Sequence, residues 1–157
     1  MRIERFDYHQ LDAVIRLSLR AWAPVFDSIH KAMDFEVYRV LHPDWRVSQK
    51  KAVEEVCTAS DAQTWVAIAE DSVVGFVSVK LHSAVLGEIY MIAVDPDQQR
   101  RGVGTAFAEH ALDWMKAAGM SAAMVETGGD PGHAPARHAY ESMGFKALPI
   151  ARYFKKL

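Results

Sequence analysis

The sequence predicts an α/β (α+β) fold, a mixed central β-sheet with helices on both faces. Three observations carry that reading. Strand-like and helix-spaced apolar runs follow one another in the order strand, helices, three strands, helix, strand, helix, strand. A glycine-containing loop, Gly102-Val103-Gly104, joins an apolar strand to a long amphipathic helix. Half of the 157 residues are hydrophobic, enough for one substantial core, so residues 1–157 are read as a single domain.

Ile3 to Phe6 reads as the first strand, and a helix begins at Asp7 or Tyr8 with Leu11, Val14, Ile15, Leu17 and Leu19 as its apolar stripe. Pro24 is expected to limit it. A second helical region runs from about Ile29 to Leu41, up to His42-Pro43, and a third from about Val47 to Ala59. Trp65 to Ala69 and Val73 to Leu81, split by Glu70-Asp71-Ser72, have the pattern of an antiparallel hairpin. Glu88 to Val94 is the next strand. Val103 to Ala118 reads as a helix, with Phe107, Ala111, Leu112 and Met115 at helical spacing and Gly119 as its left-handed cap. Met120 to Thr127 is expected to enter the sheet beside Glu88 to Val94. After the loop Gly128-Gly129-Asp130-Pro131-Gly132, a short helix spans Ala134 to Met143, and a final strand runs from Phe145 through Ile150, Arg152 and Phe154.

The loop from Val94 to Thr105 has the composition of an anion cradle. Two glycines let the backbone approach a ligand closely, a helix N-terminus offers unpaired N–H groups, and Arg100 and Arg101 add full charge. It is not a Rossmann fingerprint, since Phe107 stands where the third glycine belongs, and no Gly-Lys-Ser/Thr of a Walker loop follows.

Gln99-Arg100-Arg101-Gly102-Val103-Gly104 resembles the Q/R-x-x-G-x-G/A motif of the GNAT superfamily of acyl-CoA-dependent N-acetyltransferases. His133-Ala134-Pro135-Ala136-Arg137-His138-Ala139-Tyr140-Glu141-Ser142-Met143-Gly144-Phe145 is similar to that superfamily's N-x-x-A-x-x-x-Y-E-x-x-G-F helix. The two stand in the family's order and cover roughly residues 64 to 146. The resemblance implies acetyl-CoA as cosubstrate. Backbone groups of Ile92, Ala93 and Val94 would pair with the pantetheine arm, and N–H groups from Gln99, Arg100, Arg101, Gly102, Val103, Gly104 and Thr105 would hold the pyrophosphate. It also implies that the strand is splayed from its parallel neighbour; a bulge near Ile92 would fit that. His133 replaces the family's Asn, and imidazole reaches differently from an amide. Arg137, one turn on, either reaches the cofactor phosphates or solvates an exposed helix face.

Acetyl transfer from a thioester to an amine needs a base for the ammonium and an acid for the departing thiolate. Glu88 lies fourteen positions before Gly102, the offset at which family members that use a glutamate place their base. Alternation would put Glu88, Tyr90, Ile92 and Val94 on one face, and burial in a strand would raise its pKa toward a useful value. The plainer alternative is a solvated strand-end glutamate, and Glu126 is the reserve candidate. Tyr140 matches the family tyrosine near the cofactor sulfur; otherwise it is a core tyrosine. Cys57 as an acyl-carrying nucleophile competes with an inert buried thiol. Trp22, Phe26, Tyr38 and Trp45 are ordinarily core residues, but by resemblance the acceptor cleft is walled by this helical region, and Trp22 and Phe26 join Glu88 as substrate-binding candidates.

Formal net charge is −2, which gives no general attraction to nucleic acid or an anionic membrane. A lone cysteine excludes an intrachain disulfide framework and fits the cytoplasm, and the charged, alternating N-terminus lacks a signal peptide's apolar run. His30, His42 and His82 have no metal-ligand spacing, so no metal is expected. The expected partner is an amine-bearing acceptor, a small molecule or a peptide. A homodimer is expected too, paired through the edge of the strand Ile150 to Phe154. The rival function is an acyl-CoA-binding regulatory module without chemistry.

Overall fold

The computed structural model describes residues 1–157. Five strands form one sheet in sequence order: β1 (Arg2–Arg5), β2 (Ala62–Ala69), β3 (Ser72–Leu81), β4 (Leu86–Val94) and β5 (Ala122–Val125). The first four pair antiparallel and β5 joins β4 in parallel. The β2–β3 hairpin closes on Glu70 and Asp71, both at positive φ (49° and 57°), the left-handed pair that a tight two-residue turn demands.

Helices cover both faces. On one, α4 (Val103–Ala117) lays Phe107, Ala108, Ala111 and Met115 against Trp65, Val77, Val79 and Ile89. Gly75 makes that contact possible, because a Cβ there would stand 2.7 Å from the Phe107 ring. On the other, α1 (Leu11–Ala32) and α3 (Trp45–Thr58) pack Leu11, Val14, Ile15, Val53 and Val56 against Val66, Phe76 and Ala93. Between them, α2 (Phe35–Leu41) starts on an Asp34 side chain that accepts from the Glu36 and Val37 amides, as Asp44 does for α3. The last helix, α5 (Ala134–Ser142), is followed by Met143 and Phe145, which pack on the α4 side.

Three expectations fail, the first being that the second helical region begins near Ile29: Ile29 to Ala32 continue α1, and α2 starts at Phe35. Pro24 lies inside α1 rather than at its end. It removes one intrahelical bond, but buried side chains on either side, Leu17 and Ser18 before it and Phe26 after it, hold the helix on course. The final strand is absent: residues 143–157 have no regular structure beyond a turn. Leu148, Ile150 and Tyr153 are exposed, so alternation there has no face to bury, and Pro149 removes a donor. The tail is held instead by Arg152 on Glu126 (2.7 Å) and Lys156 on Glu36 (3.2 Å). The strand edge invoked for a homodimer is therefore missing. No helix is long and apolar enough to cross a membrane.

Candidate active site

The site is organised by a defect in β4. In register with β3, Glu88 faces Lys80 and Ile89 faces Val79, but Ser78 faces Met91, so Tyr90 is an extra residue. The bulge lies two residues before Ile92. It also reverses the expected alternation: Glu88 shares its face with Met91 and Ala93, toward α1 and α3, while Ile89, Ile92 and Val94 turn toward α4. Tyr90 itself is exposed.

At the same point the sheet opens. β5 pairs with β4 over Leu86–Ile89 only, leaving Tyr90–Val94 without a partner strand on that side. A short turn (Pro96–Gln98) then leads to α4. Gly102 is at φ +82°, a conformation costly for a residue with a Cβ, and supplies no side-chain cap. The first α4 amide with an intrachain acceptor is Ala106, donating to the Gly102 carbonyl at 2.9 Å, so the amides of Val103, Gly104 and Thr105 stay free. Val103 is buried and anchors the helix start. A Cβ on Gly104 would meet nothing closer than Val94 at 3.9 Å, so space lies open before these amides. The open strand edge and the free helix end fit an extended arm ending in phosphates, the group that the resemblance implies.

Side chains in this loop hold it in place. Gln99 donates to the Val94 carbonyl (3.1 Å), and Arg101 to Gln98 (3.2 Å). The Arg20 guanidinium of α1 donates to both carboxylate oxygens of Asp95 (3.0 and 2.7 Å) and to Asp97 (2.8 Å). Arg100 takes a left-handed φ of 59° and has no ion-pair partner.

The loop before α5 is a second polar knot. Asp130 accepts from Ser28 of α1 (2.6 Å) and from the Gly132 amide (3.1 Å), and pairs with His133. Arg137 donates to the carbonyls of Gly128 and Asp130 (2.8 Å to the latter). It therefore staples the loop, the use that neither alternative in the sequence reading anticipated. Burial opposes ionisation of Asp130, but hydrogen bonds from Ser28 and His133 outweigh it, and its pKa lies below the ordinary carboxylate value. Tyr140 packs edge-on against Phe145, and its hydroxyl has no protein partner. Burial raises its pKa above the usual phenol value, so it stays protonated at neutral pH.

Glu88 is mostly covered, with 12% of its side chain exposed, and bonds to His82. Glu126 is 56% exposed and tied to Arg152, a poorer position for a base. Cys57 is pushed up to about 12 by burial, which makes it an unreactive thiol. Of the helical-region candidates, Trp22 leans on Phe76 (centroids 6.4 Å apart), while Phe26 stacks on Trp45 at 4.6 Å. Phe26 and Trp45 border a cavity of about 350 Å³ with His30, Tyr38, Asp27 and Arg46.

A sequence model of the acetyltransferase (GNAT) family matches residues 30–145. The chain belongs to that family. A mycothiol acetyltransferase of Beutenbergia cavernae is 38% identical over 72 residues, 46% of this chain and 24% of the relative. The [ribosomal protein bS18]-alanine N-acetyltransferase of Escherichia coli K12 is 38% identical over 66 residues, 42% of this chain and 43% of the relative. The chain thus spans under half the length of either. Among solved structures, the PaiA N-acetyltransferase of Thermoplasma acidophilum, in complex with coenzyme A, shares the fold at a TM-score of 0.71 and 16% identity, covering 96% of this chain and 94% of its own.

Proposed function

We propose that this chain moves an acetyl group from acetyl-CoA to a primary amine by direct transfer within a ternary complex. The observation that carries the reading is the opening of the sheet after Ile89, which joins an unpaired strand edge to the free amides of α4. Five residues of that edge, at about 3.3 Å each, offer roughly 17 Å of backbone to an extended amide-bearing arm. The amides of Val103, Gly104 and Thr105, with Arg100 and Arg101 nearby, receive the pyrophosphate.

Acetyl-CoA supplies an activated acyl group; this chain's residues manage two protons. Glu88, at the closed end of the open edge, takes one from the acceptor ammonium and frees the nitrogen lone pair for attack on the thioester carbon. Tyr140 gives its phenolic proton to the thiolate as the C–S bond breaks, and the second proton, shed by the attacking nitrogen as the amide forms, restores the phenol. A buried phenol that remains protonated at neutral pH suits that task. His133 and Arg137 act on the loop that carries α5 rather than on phosphate, and Phe26 belongs to an aromatic wall for the acceptor.

The test is thiol release from acetyl-CoA with an amine panel that includes an alanine-terminated peptide and an aminoglycoside. On the best acceptor, Glu88→Gln is expected to lower kcat by about 10²- to 10⁴-fold with acetyl-CoA binding nearly intact, and to recover in part at higher pH, where free amine is abundant. Tyr140→Phe is expected to lower kcat wherever thiolate departure limits the rate. Tight acetyl-CoA binding without thiol release on any amine would instead support a binding module.

A further inference from the structure

The β3–β4 turn does more than connect two strands. It is closed by the His82 amide on the Leu86 carbonyl (2.9 Å) and by Ser83 Oγ, which accepts from Val85 and Leu86 (3.2 Å each). That geometry folds His82 back over β4, where its Nε2 meets Glu88 Oε2. The two side chains differ in access: 12% of Glu88 is exposed against 42% of His82, so the pair runs from the covered interior to solvent.

Other charged groups nearby are engaged elsewhere. Lys80, the register partner of Glu88 on β3, is 3.6 Å from Asp61, with its ammonium 4.3 Å from the Tyr90 ring centroid. On β5 the register partner is Met124, and Glu126 two residues on is bound to Arg152. No charged group of α1 or α3 bonds to either member of the pair. His82 is the one titratable side chain hydrogen-bonded to Glu88.

We propose that His82 is the proton outlet of Glu88, an inference that rests on the reading of Glu88 as base. When Glu88 takes the ammonium proton, an N–H bond breaks and an O–H bond forms. That O–H then breaks as the Nε2 lone pair of neutral imidazole takes the proton, leaving imidazolium beside a restored carboxylate. The imidazolium passes one proton to water. The net change is one proton moved from amine to solvent, with no redox step. A covered carboxylic acid without such an outlet would have to wait for water before serving again. His82 does not touch the amine and is a positioning and relay residue.

His82→Ala and His82→Gln, compared with wild type and Glu88→Gln by thiol release at saturating acetyl-CoA, test this. Both His82 variants are expected to lose about 10- to 100-fold in kcat with unchanged KM for acetyl-CoA. Added imidazoles are expected to rescue His82→Ala in proportion to their basicity and to leave Glu88→Gln unrescued. Thermal melting checks that each variant folds. The side chain in His82→Gln can still donate to Glu88 but takes no proton, so wild-type kcat there would overturn the relay, as would rescue indifferent to basicity. Wild-type kcat in Glu88→Gln would overturn the base assignment and the relay with it; an impaired Glu88→Gln beside an unimpaired His82→Gln would sink the relay alone.

Discussion

The two halves of the site are made of different material. Where β4 runs into α4, the groups offered to the proposed cosubstrate are backbone: a strand edge with no partner and three amides with no acceptor. Across the sheet, the region of α1, α2 and α3 presents side chains: Phe26 on Trp45, His30 on Tyr38, Asp130 reached by Ser28. Backbone groups are alike in every residue, so the first half constrains sequence only where a side chain would obstruct, at the glycines. The second half is specified residue by residue. Under the proposed function, the first half takes the invariant cosubstrate and the second the acceptor.

Single replacements sharpen that contrast. The largest effect is expected from Phe26→Ala, which unstacks Trp45 and opens a cavity under α1; about 3 kcal/mol should be lost in chemical denaturation. Acceptor KM should rise while CoA affinity, measured by calorimetry, stays put. Equal damage to both ligands would break the division between halves.

A smaller loss, about 1–3 kcal/mol, is expected for Asp130→Ala, which strips the Ser28 hydroxyl of its acceptor and leaves the Gly132 amide to Ser28 Oγ alone. Its pH dependence has a definite sign. Because the folded pKa of Asp130 is depressed, its contribution is complete above the ordinary carboxylate value, about 3.9, and is lost as pH falls through the folded value. Denaturation followed down the acid limb should therefore show a shallower decline in Asp130→Asn than in wild type; parallel curves would remove the charge from the account. The smallest effect belongs to Arg101→Ala. If amides rather than side chains hold the phosphates, CoA should weaken by no more than about tenfold, roughly 1.4 kcal/mol. A loss of several orders of magnitude would make the cradle a side-chain site after all.

The same contrast explains what the sequence disclosed. The open strand and helix end leave a motif because glycine is needed there: Gly102 sits at φ +82°, while the burial of Val103 was not read from the string. Gly119 ends α4 at φ +88° as read. A bulge near Ile92 fitted the resemblance and one stands at Tyr90, but the sequence did not show its consequence, which is to reverse the side chains that accompany Glu88. His82 was weighed only as a metal ligand, because nothing in a turn histidine says it will fold back on a strand. Arg20 and Ser28 were missed for a similar reason: their partners, Asp95 and Asp130, lie 75 and 102 residues away, beyond any periodic signal. The phantom strand after Phe145 shows the converse error. Alternating apolar residues predict a strand only if a sheet is there to receive them, and the tail is instead pinned by two surface ion pairs.

The central claim is that backbone amides at the start of α4 form the phosphate site, and calorimetric titration of CoA into wild type, Gly104→Ala and Gly104→Asp tests it most directly. Gly104 is free of the positive φ that burdens Gly102, and a Cβ at that position meets nothing closer than 3.9 Å, so both variants should fold. The account predicts that Gly104→Ala binds nearly as wild type and that Gly104→Asp loses CoA, because its carboxylate occupies and repels the pyrophosphate. A folded Gly104→Asp that binds CoA with unchanged affinity would contradict it.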